Sequence, residues 1–494
     1  MNEPTAMNPI PFAFAKRHQI LFAGVEQDKA KILYHGQPSI TVFNELRRYL
    51  DRPLSLEKVD EDTFNQRLIK GYQTDSNTAM LMAEDLGDSL DLYDLMQELP
   101  KPEDLLERQD DAPIVRLLNA LLSEAIKEGA SDVHIETFEN RIAIRFRVDG
   151  ILREVLEPQR ILAPLIVSRI KVMAKLDIAE KRLPQDGRIT LRIAGRAVDV
   201  RVSTMPTSHG ERVVLRLLDK QSARLDLSDL GMMPATLHFM KTLIAIPHGI
   251  ILVTGPTGSG KTTTLYAALT ALNNTTRNIL TVEDPIEFDL SGVGQTQINY
   301  KVNMTFAKGL RAILRQDPDV VMVGEIRDVE TAQIAIQASL TGHLVLSTLH
   351  TNSAVGAITR LDDMGIEPFL LSSSLIGVLA QRLIRKLCVH CKRPQLATIQ
   401  ECERLGLPTT NPPLLYHAVG CQHCRNTGYS GRSGVYELIV IDDRLRTMIH
   451  DRKPEPELKK YARTLFPSIR QDGYARVIAG DSSLEEILRV TSED

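Results

Sequence analysis

The spacing of hydrophobic residues changes several times along the chain, and each change indicates a different structure. Between residues 112 and 127 apolar side chains recur at helical spacing, and Gly129 follows as a helix stop. Two stretches of alternating apolar and polar residues then flank Asp149 and Gly150, a dipeptide typical of tight turns. The pattern predicts a helix followed by a β-hairpin.

The next hundred residues continue this mixture of helix and strand. A helical pattern covers about 162–176. Three further stretches alternate like strands of a half-buried sheet: 188–193, 197–204 and 211–217. Residues 112–220 are therefore predicted to form an α+β domain, followed by an exposed hinge that ends near residue 234.

Short, continuous apolar runs are typical of the third region. They occur at 249–254, 279–282, 320–323 and 344–346, and segments of helical length separate them. Buried parallel strands that alternate with helices have this pattern. Residues 235–385 are therefore predicted to form a larger α/β domain.

The remaining segments give weaker patterns. Residues 1–100 mix short apolar runs with helical spacing and are expected to form a separate small domain. Residues 84–111 contain 11 acidic and two basic residues and two prolines, so the end of this stretch, 101–111, is expected to be a linker. Residues 386–426 are irregular and rich in cysteine, and a helical region is predicted over 427–494.

The length and amino-acid composition of the chain are typical of a protein with several folded domains. The 494 residues are 43% hydrophobic and 25% charged, which excludes a disordered chain. Residues 1–111 carry 12 basic and 21 acidic side chains, whereas the rest of the chain is basic overall, so the first segment is expected to be a separate unit. No run of 18 apolar residues occurs, and a cytoplasmic protein without a signal peptide is expected.

A phosphate-binding loop follows the apolar run at 249–254. The sequence matches G-x-x-x-x-G-K-[ST] and leads into a helical pattern, which is the context that this motif requires. Backbone N–H groups of such a loop bind phosphate oxygens, its lysine reaches the β- and γ-phosphates, and its hydroxyl can hold Mg²⁺. The predicted ATP and Mg²⁺ site comprises Gly255, Pro256, Thr257, Gly258, Ser259, Gly260, Lys261, Thr262 and Thr263.

Hydrolysis also needs polar groups at the ends of neighbouring strands. Glu283 and Asp284 follow one apolar run and Glu325 follows another, where an acid that faces magnesium or water is expected. His343 and His350 flank a third run, and His350 lies after its carboxyl end, which is the ligand-binding edge of such sheets. Each of these acids alone could equally be structural, but acids after two successive strands favour a functional site, and the position of His350 favours a functional role for that histidine.

Arginines provide a further group of candidates. Arg311 and Arg315 share one face of a predicted helix, and Arg201 and Arg216 lie on strands of the α+β domain. These side chains either form a solvated basic surface or reach the phosphates across a domain or subunit boundary, where such a residue increases the rate by about 10³ to 10⁵.

Four of the five cysteines form two Cys-x-x-Cys pairs. These pairs are separated by 29 residues, and they predict one tetrahedral, structural Zn²⁺ site formed by Cys388, Cys391, Cys421 and Cys424. Cys402 is expected to have no ligand role. The alternative is four unrelated reduced thiols.

Together these motifs resemble the ATPases of type II secretion and type IV pilus assembly, and those of type II secretion most closely. The likeness extends from Asp110 to the end of the chain and rests on segments 130–136, 145–150, 255–262, 282–287, 317–319, 324–328, 341–343 and 350–352. Segment 283–287 resembles the family's Asp box, Glu325 its Walker B acid, and His350 lies in its His box. Gly324 stands where a generic P-loop ATPase has Asp, a departure that the family shares.

The resemblance implies a RecA-like ATPase domain, a preceding PAS-like α+β domain and a small zinc subdomain. It further implies a homohexamer in which closure of the two larger domains brings Arg201, Arg216, Arg311 and Arg315 towards the phosphates. Either Glu283 or Glu325 would then be the base. Retraction motors of type IV pili lack the zinc subdomain, so the four cysteines argue against that class.

The resemblance also implies partners and a location. Pro11-Phe12-Ala13-Phe14-Ala15 is similar to the start of the type II secretion members, in which residues equivalent to 1–100 dock on the cytoplasmic part of an inner-membrane protein of the GspL type. A GspF-type protein is a further expected partner. The chain is therefore expected to be cytoplasmic and peripherally associated with the inner membrane.

Four functions remain open from the sequence. The first is the motor of type II secretion, which drives pseudopilus assembly and export of folded proteins across the outer membrane, and the second is a type IV pilus assembly ATPase. A nucleic-acid translocase would use the Arg-rich domain, but little aromatic interleaving and a net charge of -4 argue against nucleic acid as a partner. The fourth is a nucleotide-dependent scaffold that does not hydrolyse ATP.

Overall fold

The computed structural model describes residues 18–26, 29–36, 38–50, 52–60, 112–193, 196–219 and 226–491, together with isolated positions between 10 and 67. The chain divides into two compact units, Met1–Gln221 and Ser222–Asp494. The predicted linker at 101–111 lies outside the described residues, as does most of the Pro11–Ala15 motif. Among the described helices, none has the length and apolar character needed to cross a membrane.

The first unit begins with a three-stranded sheet. Its elements are β1 (Ile20–Glu26), β2 (Lys29–Tyr34), α1 (Ile40–Leu50) and β3 (Leu54–Lys58). Strands β1 and β2 are antiparallel, whereas β2 and β3 are parallel because α1 crosses between them. Ile20, Ile32 and Leu46 form part of the buried core under this helix. The segment is thus a small α/β module.

A six-stranded antiparallel sheet forms the rest of the first unit, in the order β6-β5-β4-β9-β8-β7. Its helices α2 and α3 contribute to one hydrophobic core with the sheet. The elements are α2 (Ala112–Lys127), β4 (Asp132–Thr137), β5 (Ile142–Val148), β6 (Ile151–Leu156), α3 (Ala163–Met173), β7 (Gln185–Ile193), β8 (Arg196–Thr207) and β9 (Gly210–Asp219). The predicted hairpin at Asp149-Gly150 is confirmed, because β5 pairs with β6 around this turn.

The second unit contains a seven-stranded sheet in the order β12-β11-β13-β14-β10-β15-β18. All neighbouring strands are parallel except β15 and β18. Its first elements are α4 (Pro234–Ile244), β10 (Gly249–Thr254), α5 (Lys261–Leu272), β11 (Ile279–Glu283), β12 (Gly294–Gln297), α6 (Phe306–Ile313), β13 (Val320–Val323), α7 (Val329–Leu340), β14 (Leu344–Leu349), α8 (Ala354–Asp363), α9 (Pro368–Ser374) and β15 (Leu375–Leu387). Two hydrophobic clusters cover the two faces of the sheet. The predicted α/β architecture is confirmed.

The C-terminal part of the chain differs from the helical region predicted over 427–494. It begins with β18 (Tyr429–Val440), which pairs with β15 in the main sheet. Only the second half of β18 is apolar and buried, so its sequence as a whole does not show the apolar run that predicts a buried strand. Between β15 and β18 lie β16 (Arg393–Leu396), α10 (Ile399–Leu405) and β17 (Leu414–His417), and after β18 come α11 (Asp443–His450), α12 (Glu455–Leu465), α13 (Ile469–Ile478) and α14 (Leu484–Val490).

Candidate functional site

The predicted phosphate-binding loop, residues 255–260, connects the carboxyl end of β10 to the first turn of α5. Gly255, Gly258 and Gly260 adopt φ angles of +149°, +80° and +87°, which residues with a Cβ rarely adopt. A Cβ on Gly255 would lie 2.5 Å from the carbonyl oxygen of Gln381. The glycines are therefore required both for the turn and for the close approach of β15.

The start of α5 has the properties of an anion site. Gly260 is its N-cap, and no side chain caps the first-turn N–H groups within the described part of the chain. Thr262 and Thr263 in this turn are exposed. The buried hydroxyl of Ser259 makes no hydrogen bond to any described residue. These donors fit phosphate oxygens, which bind at helix N-termini.

Lys261 lies across the inside of this loop. Its Nζ donates hydrogen bonds to the carbonyl oxygens of Gly255 at 2.7 Å and Pro256 at 3.1 Å. Burial, reinforced by the charge of Arg382, lowers the pKa of Lys261 to about 8, although Glu325 opposes this shift. Negative phosphate charge beside Lys261 would favour the protonated form of this side chain.

Glu325 and His350 converge on Lys261, as the sequence predicts for residues after the ends of β13 and β14. His350 Nδ1 lies 3.5 Å from Lys261 Nζ, and His350 Nε2 lies 3.5 Å from Glu325 Oε2. Glu325 also forms a 2.6 Å ion pair with Arg327. Burial, followed by the charge of Lys261, lowers the pKa of His350. The histidine is therefore favoured in its neutral form between a cation and an acid.

Glu283 occupies a different environment from Glu325. Its side chain is buried and accepts hydrogen bonds from the hydroxyl of Tyr266, from Thr281 Oγ1 at 2.5 Å and from Gln295 Nε2 at 3.0 Å. Burial, followed by the charge of Glu283, raises the pKa of Tyr266. Three donors thus hold this carboxylate within the protein interior, and no motif in the sequence indicated the roles of Tyr266 and Gln295.

His343 does not belong to this cluster. It precedes β14, whereas His350 follows the same strand, so the two histidines lie at opposite ends of it. His343 Nδ1 lies 2.8 Å from the carbonyl oxygen of Ala338 at the end of α7. Its position is that of a residue that satisfies a helix C-terminus.

Two polar residues on β15 were missed by the sequence analysis. Gln381 contacts the phosphate-binding loop through Ser259 and the next helix through Thr264. Arg382 donates to the carbonyl and side-chain oxygens of Asn352 at 3.0 and 3.2 Å, so it holds the segment after His350. The one available signal is a Gln-Arg pair that interrupts the apolar run between residues 375 and 384.

The four predicted arginines lie in different units. Arg201 is in register with both Arg188 and Arg216, so three arginines stand side by side across β7, β8 and β9. Arg216 Nε donates to Asp132 Oδ1 at 2.8 Å. In the second unit Arg311 pairs with Glu330 at 2.6 Å, and Arg315 donates to the carbonyl oxygen of Arg311 at 3.0 Å.

The four cysteines of the paired motifs converge on one point. Their Sγ atoms all lie within 4.8 Å of one another. The Sγ of Cys388 is 3.9 Å from that of Cys421, and the Sγ of Cys424 is 3.7 Å from those of Cys391 and Cys421. Tetrahedral Zn²⁺ with bonds of about 2.3 Å requires sulfur atoms about 3.8 Å apart. This donor set therefore fits zinc.

Hydrogen bonds to one of these thiols favour a metal-binding thiolate. Burial alone would raise the pKa of Cys424, but the N–H groups of Cys421 and Gly428, at 3.1 and 3.2 Å from its Sγ, and the neighbouring thiols lower it, whereas burial raises the pKa of Cys391. Cys402 instead lies on α10 within a hydrophobic cluster. The structure thus places the fifth cysteine apart from the four-cysteine group, as expected.

Comparison with known proteins gives matches over nearly the whole chain. The family described as "Type II/IV secretion system protein" matches residues 107–489, and a second family, a domain of "GSPII protein E", matches residues 9–72. Type II secretion system protein E of Pseudomonas aeruginosa is 62% identical over 98% of this chain and 96% of its own length. Type II secretion system ATPase E of Vibrio cholerae is 59% identical over 99% of this chain and 98% of its own length.

Solved structures agree with this relationship. The crystal structure of the pilus retraction motor PilT with bound ADP covers 76% of this chain and 97% of its own, with a TM-score of 0.52 and 27% identity. The common fold explains why the phosphate-binding loop, Glu325 and His350 lie at one edge of the sheet. From the extent of these matches, the chain belongs to the type II/IV secretion system ATPase family.

Proposed function

We propose that this protein is the ATP-hydrolysing motor of a type II secretion system, which drives pseudopilus assembly and export of folded proteins from the periplasm across the outer membrane. The observation that carries the proposal is the convergence of Lys261, Glu325 and His350 beside the phosphate-binding loop. The names of the full-length relatives favour type II secretion over type IV pilus assembly.

In the proposed mechanism, loop 255–260 and the first turn of α5 bind the phosphates of ATP through backbone N–H groups. Lys261 exchanges its bonds to loop carbonyls for bonds to the β- and γ-phosphates. Mg²⁺, when bound, would neutralise phosphate charge, and Thr262 is the residue that would hold it. His350 reports the state of the γ-phosphate because it lies between Lys261 and Glu325.

Glu325 is the better candidate for the residue that orients or deprotonates the attacking water. Three hydrogen-bond donors occupy Glu283, whereas Glu325 is partly exposed and lies beside the His350–Lys261 pair. A base must be able to reach the water whose proton it accepts. Glu283 would instead stabilise the end of β11 through Tyr266 and Gln295.

We infer that the arginines complete the site when subunits assemble into a homohexamer. Arg188, Arg201 and Arg216 form a row of like charges in register across three strands, in which Arg188 pairs with Asp199 and Arg216 with Asp132. A triphosphate would supply further negative charge. Arg201 and Arg216 would then accelerate hydrolysis by about 10³-fold or more, while Arg311 and Arg315 would contribute from the second unit.

The proposed partners follow from the N-terminal family match. Residues 1–100 would dock on a GspL-type inner-membrane protein, with a GspF-type protein as a further partner, and the motor would thereby associate with the inner membrane from the cytoplasm. The four cysteines would bind structural Zn²⁺, which stabilises segment 386–426 and takes no part in hydrolysis.

Complementation tests this function. A type II secretion strain that lacks its own motor should regain export when it expresses this protein, but not when it expresses Lys261→Ala. A parallel strain that lacks its pilus assembly motor tests the alternative function, type IV pilus assembly. Restored pili without restored export would transfer the function to pilus assembly, and failure of the purified protein to hydrolyse ATP with Mg²⁺ would contradict the motor itself.

A further inference from the structure

Gln381 is a buried polar residue whose hydrogen bonds join separate parts of the nucleotide site. Its side chain is 1% exposed on β15, which pairs in parallel with β10. Its Nε2 donates to the carbonyl oxygen of Ser259 at 2.7 Å, and its Oε1 accepts from Thr264 Oγ1 at 2.8 Å. A single side chain therefore connects the phosphate-binding loop to the helix that follows it.

The bond to Ser259 fixes the direction of the next N–H group. The peptide between Ser259 and Gly260 is trans, so its C=O and N–H point in opposite directions. Because Gln381 holds the carbonyl, the N–H of Gly260 must point away from β15. Backbone N–H groups of this loop are the proposed phosphate ligands. Gln381 therefore determines the orientation of one of them, the N–H of Gly260.

Thr264 fixes the amide of Gln381 in turn. A carbonyl oxygen can only accept, so Nε2 must face Ser259 and Oε1 must face Thr264, whose hydroxyl donates. The three residues form a chain of hydrogen bonds from α5 through β15 to the loop. Gln381 also packs against Gly260, where a Cβ would lie 3.2 Å from its Nε2.

We propose that Gln381 is a positioning residue for ATP binding, and that it acts by holding the Ser259–Gly260 peptide in the orientation that phosphate requires. This inference rests on the proposed function, since it assumes that the loop binds a nucleotide. Simple packing is the competing role. Packing would make a buried glutamine replaceable by an apolar residue of the same size.

Two substitutions in the full-length, zinc-loaded protein separate these roles. Gln381→Met keeps the volume but removes both hydrogen bonds, whereas Gln381→Glu keeps the acceptor and places a carboxylate against the Ser259 carbonyl. We expect Gln381→Met to weaken binding of a fluorescent, non-hydrolysable ATP analogue with Mg²⁺ about five- to twentyfold, and Gln381→Glu to weaken it more. The melting temperature of Gln381→Met should fall by only a few degrees, because two buried hydrogen bonds are lost, so the variant stays folded in the binding assay.

Leu379→Met is the matched control. Leu379 lies two residues earlier on the same strand and the same face, and it is fully buried. This control should bind the analogue as the wild type does, because it changes packing without touching Ser259.

A double-mutant cycle with Thr264→Val provides the second test. Thr264→Val should weaken analogue binding by itself, and it should add nothing to Gln381→Met, because both act through one chain of hydrogen bonds. Wild-type affinity in Gln381→Met, or full additivity of the two substitutions, would overturn the inference. Failure of the wild type itself to bind the analogue would instead contradict the proposed function.

Discussion

The proposed nucleotide site and the four-cysteine site both include residues on or next to β15, but different interactions determine their geometry. Gln381, near the middle of β15, contacts the phosphate-binding loop, and Cys388 follows the end of this strand directly. The nucleotide site combines the ends of several parallel strands, so its geometry depends on the hydrophobic core. The cysteine site consists of two short local loops, so we expect its geometry to depend on the proposed zinc ion. We therefore expect that substitution of a single side chain disables the nucleotide site. Removal of the metal should disable the cysteine site.

Loss of Lys261 should produce the largest effect. Lys261→Ala removes the cation beside the loop, and we expect Mg²⁺-dependent phosphate release to fall by about 10² to 10³ or more. Zinc content, measured by elemental analysis, should stay at one ion per chain. The exposed Lys241 on α4 gives a control, Lys241→Ala, with normal turnover. Unchanged turnover in Lys261→Ala would refute the assignment of this site.

The two acids should respond differently to loss of their charge. Glu325→Gln should lower kcat about 10²- to 10⁴-fold with little change in KM, because a general base acts in the chemical step. Glu283→Gln should mainly destabilise the fold, by about 1 to 3 kcal/mol, because its partners Tyr266 and Gln295 are organised around a carboxylate. Steady-state kinetics and thermal unfolding measure both. The reverse result would exchange the two roles.

Loss of a cysteine ligand should affect stability more than chemistry. Cys421→Ser should reduce bound zinc below one ion per chain and expose segment 386–426 to proteolysis, while the affinity for ATP is retained. The buried Cys402 supplies the control, since Cys402→Ala should cost about 1 kcal/mol in packing and leave zinc unchanged. Full zinc content in Cys421→Ser would contradict the tetrahedral site.

The smallest effect is a dependence of ATP affinity on pH. The pKa of Lys261 is lowered to about 8 in an environment that contains Arg382, His350 and Glu325, so the unliganded side chain loses its proton above pH 8. Phosphate binds the protonated form, and affinity should therefore fall by up to about tenfold per pH unit above 8. Calorimetry across pH 7 to 10 measures this, and Lys261→Arg should show no such slope.

Stability of the unliganded protein should change in the opposite direction. Between pH 8 and the ordinary lysine value of 10.5, the unfolded chain keeps the proton that folded Lys261 has released. The unfolded state then binds more protons, so the free energy of unfolding rises with pH over this interval. In Lys261→Met this contribution should be missing.

The sequence predicted the parts of the proposed nucleotide site that depend on local structure. The loop is a contiguous motif, and Glu325 and His350 closely follow strands whose apolar runs are easy to recognise. Gln381 could not be found in this way, because its role arises only from the pairing of β15 with β10. The hydrogen bonds to Glu283 were missed for the same reason, since tertiary packing brings Tyr266 and Gln295 to it.

The insertion of the cysteine segment between two paired strands has a consequence for how such proteins diversify. Leu387 and Tyr429 are opposite each other at the tip of the long β15–β18 ribbon, and residues 388–428 lie between them. The ends of that segment are therefore already adjacent, so a short turn could connect the two strands, provided that the apolar side chains of α13 and α14 that pack against the segment were also replaced. Gene rearrangement at this position could add or delete an accessory module while the ATPase domain stays intact.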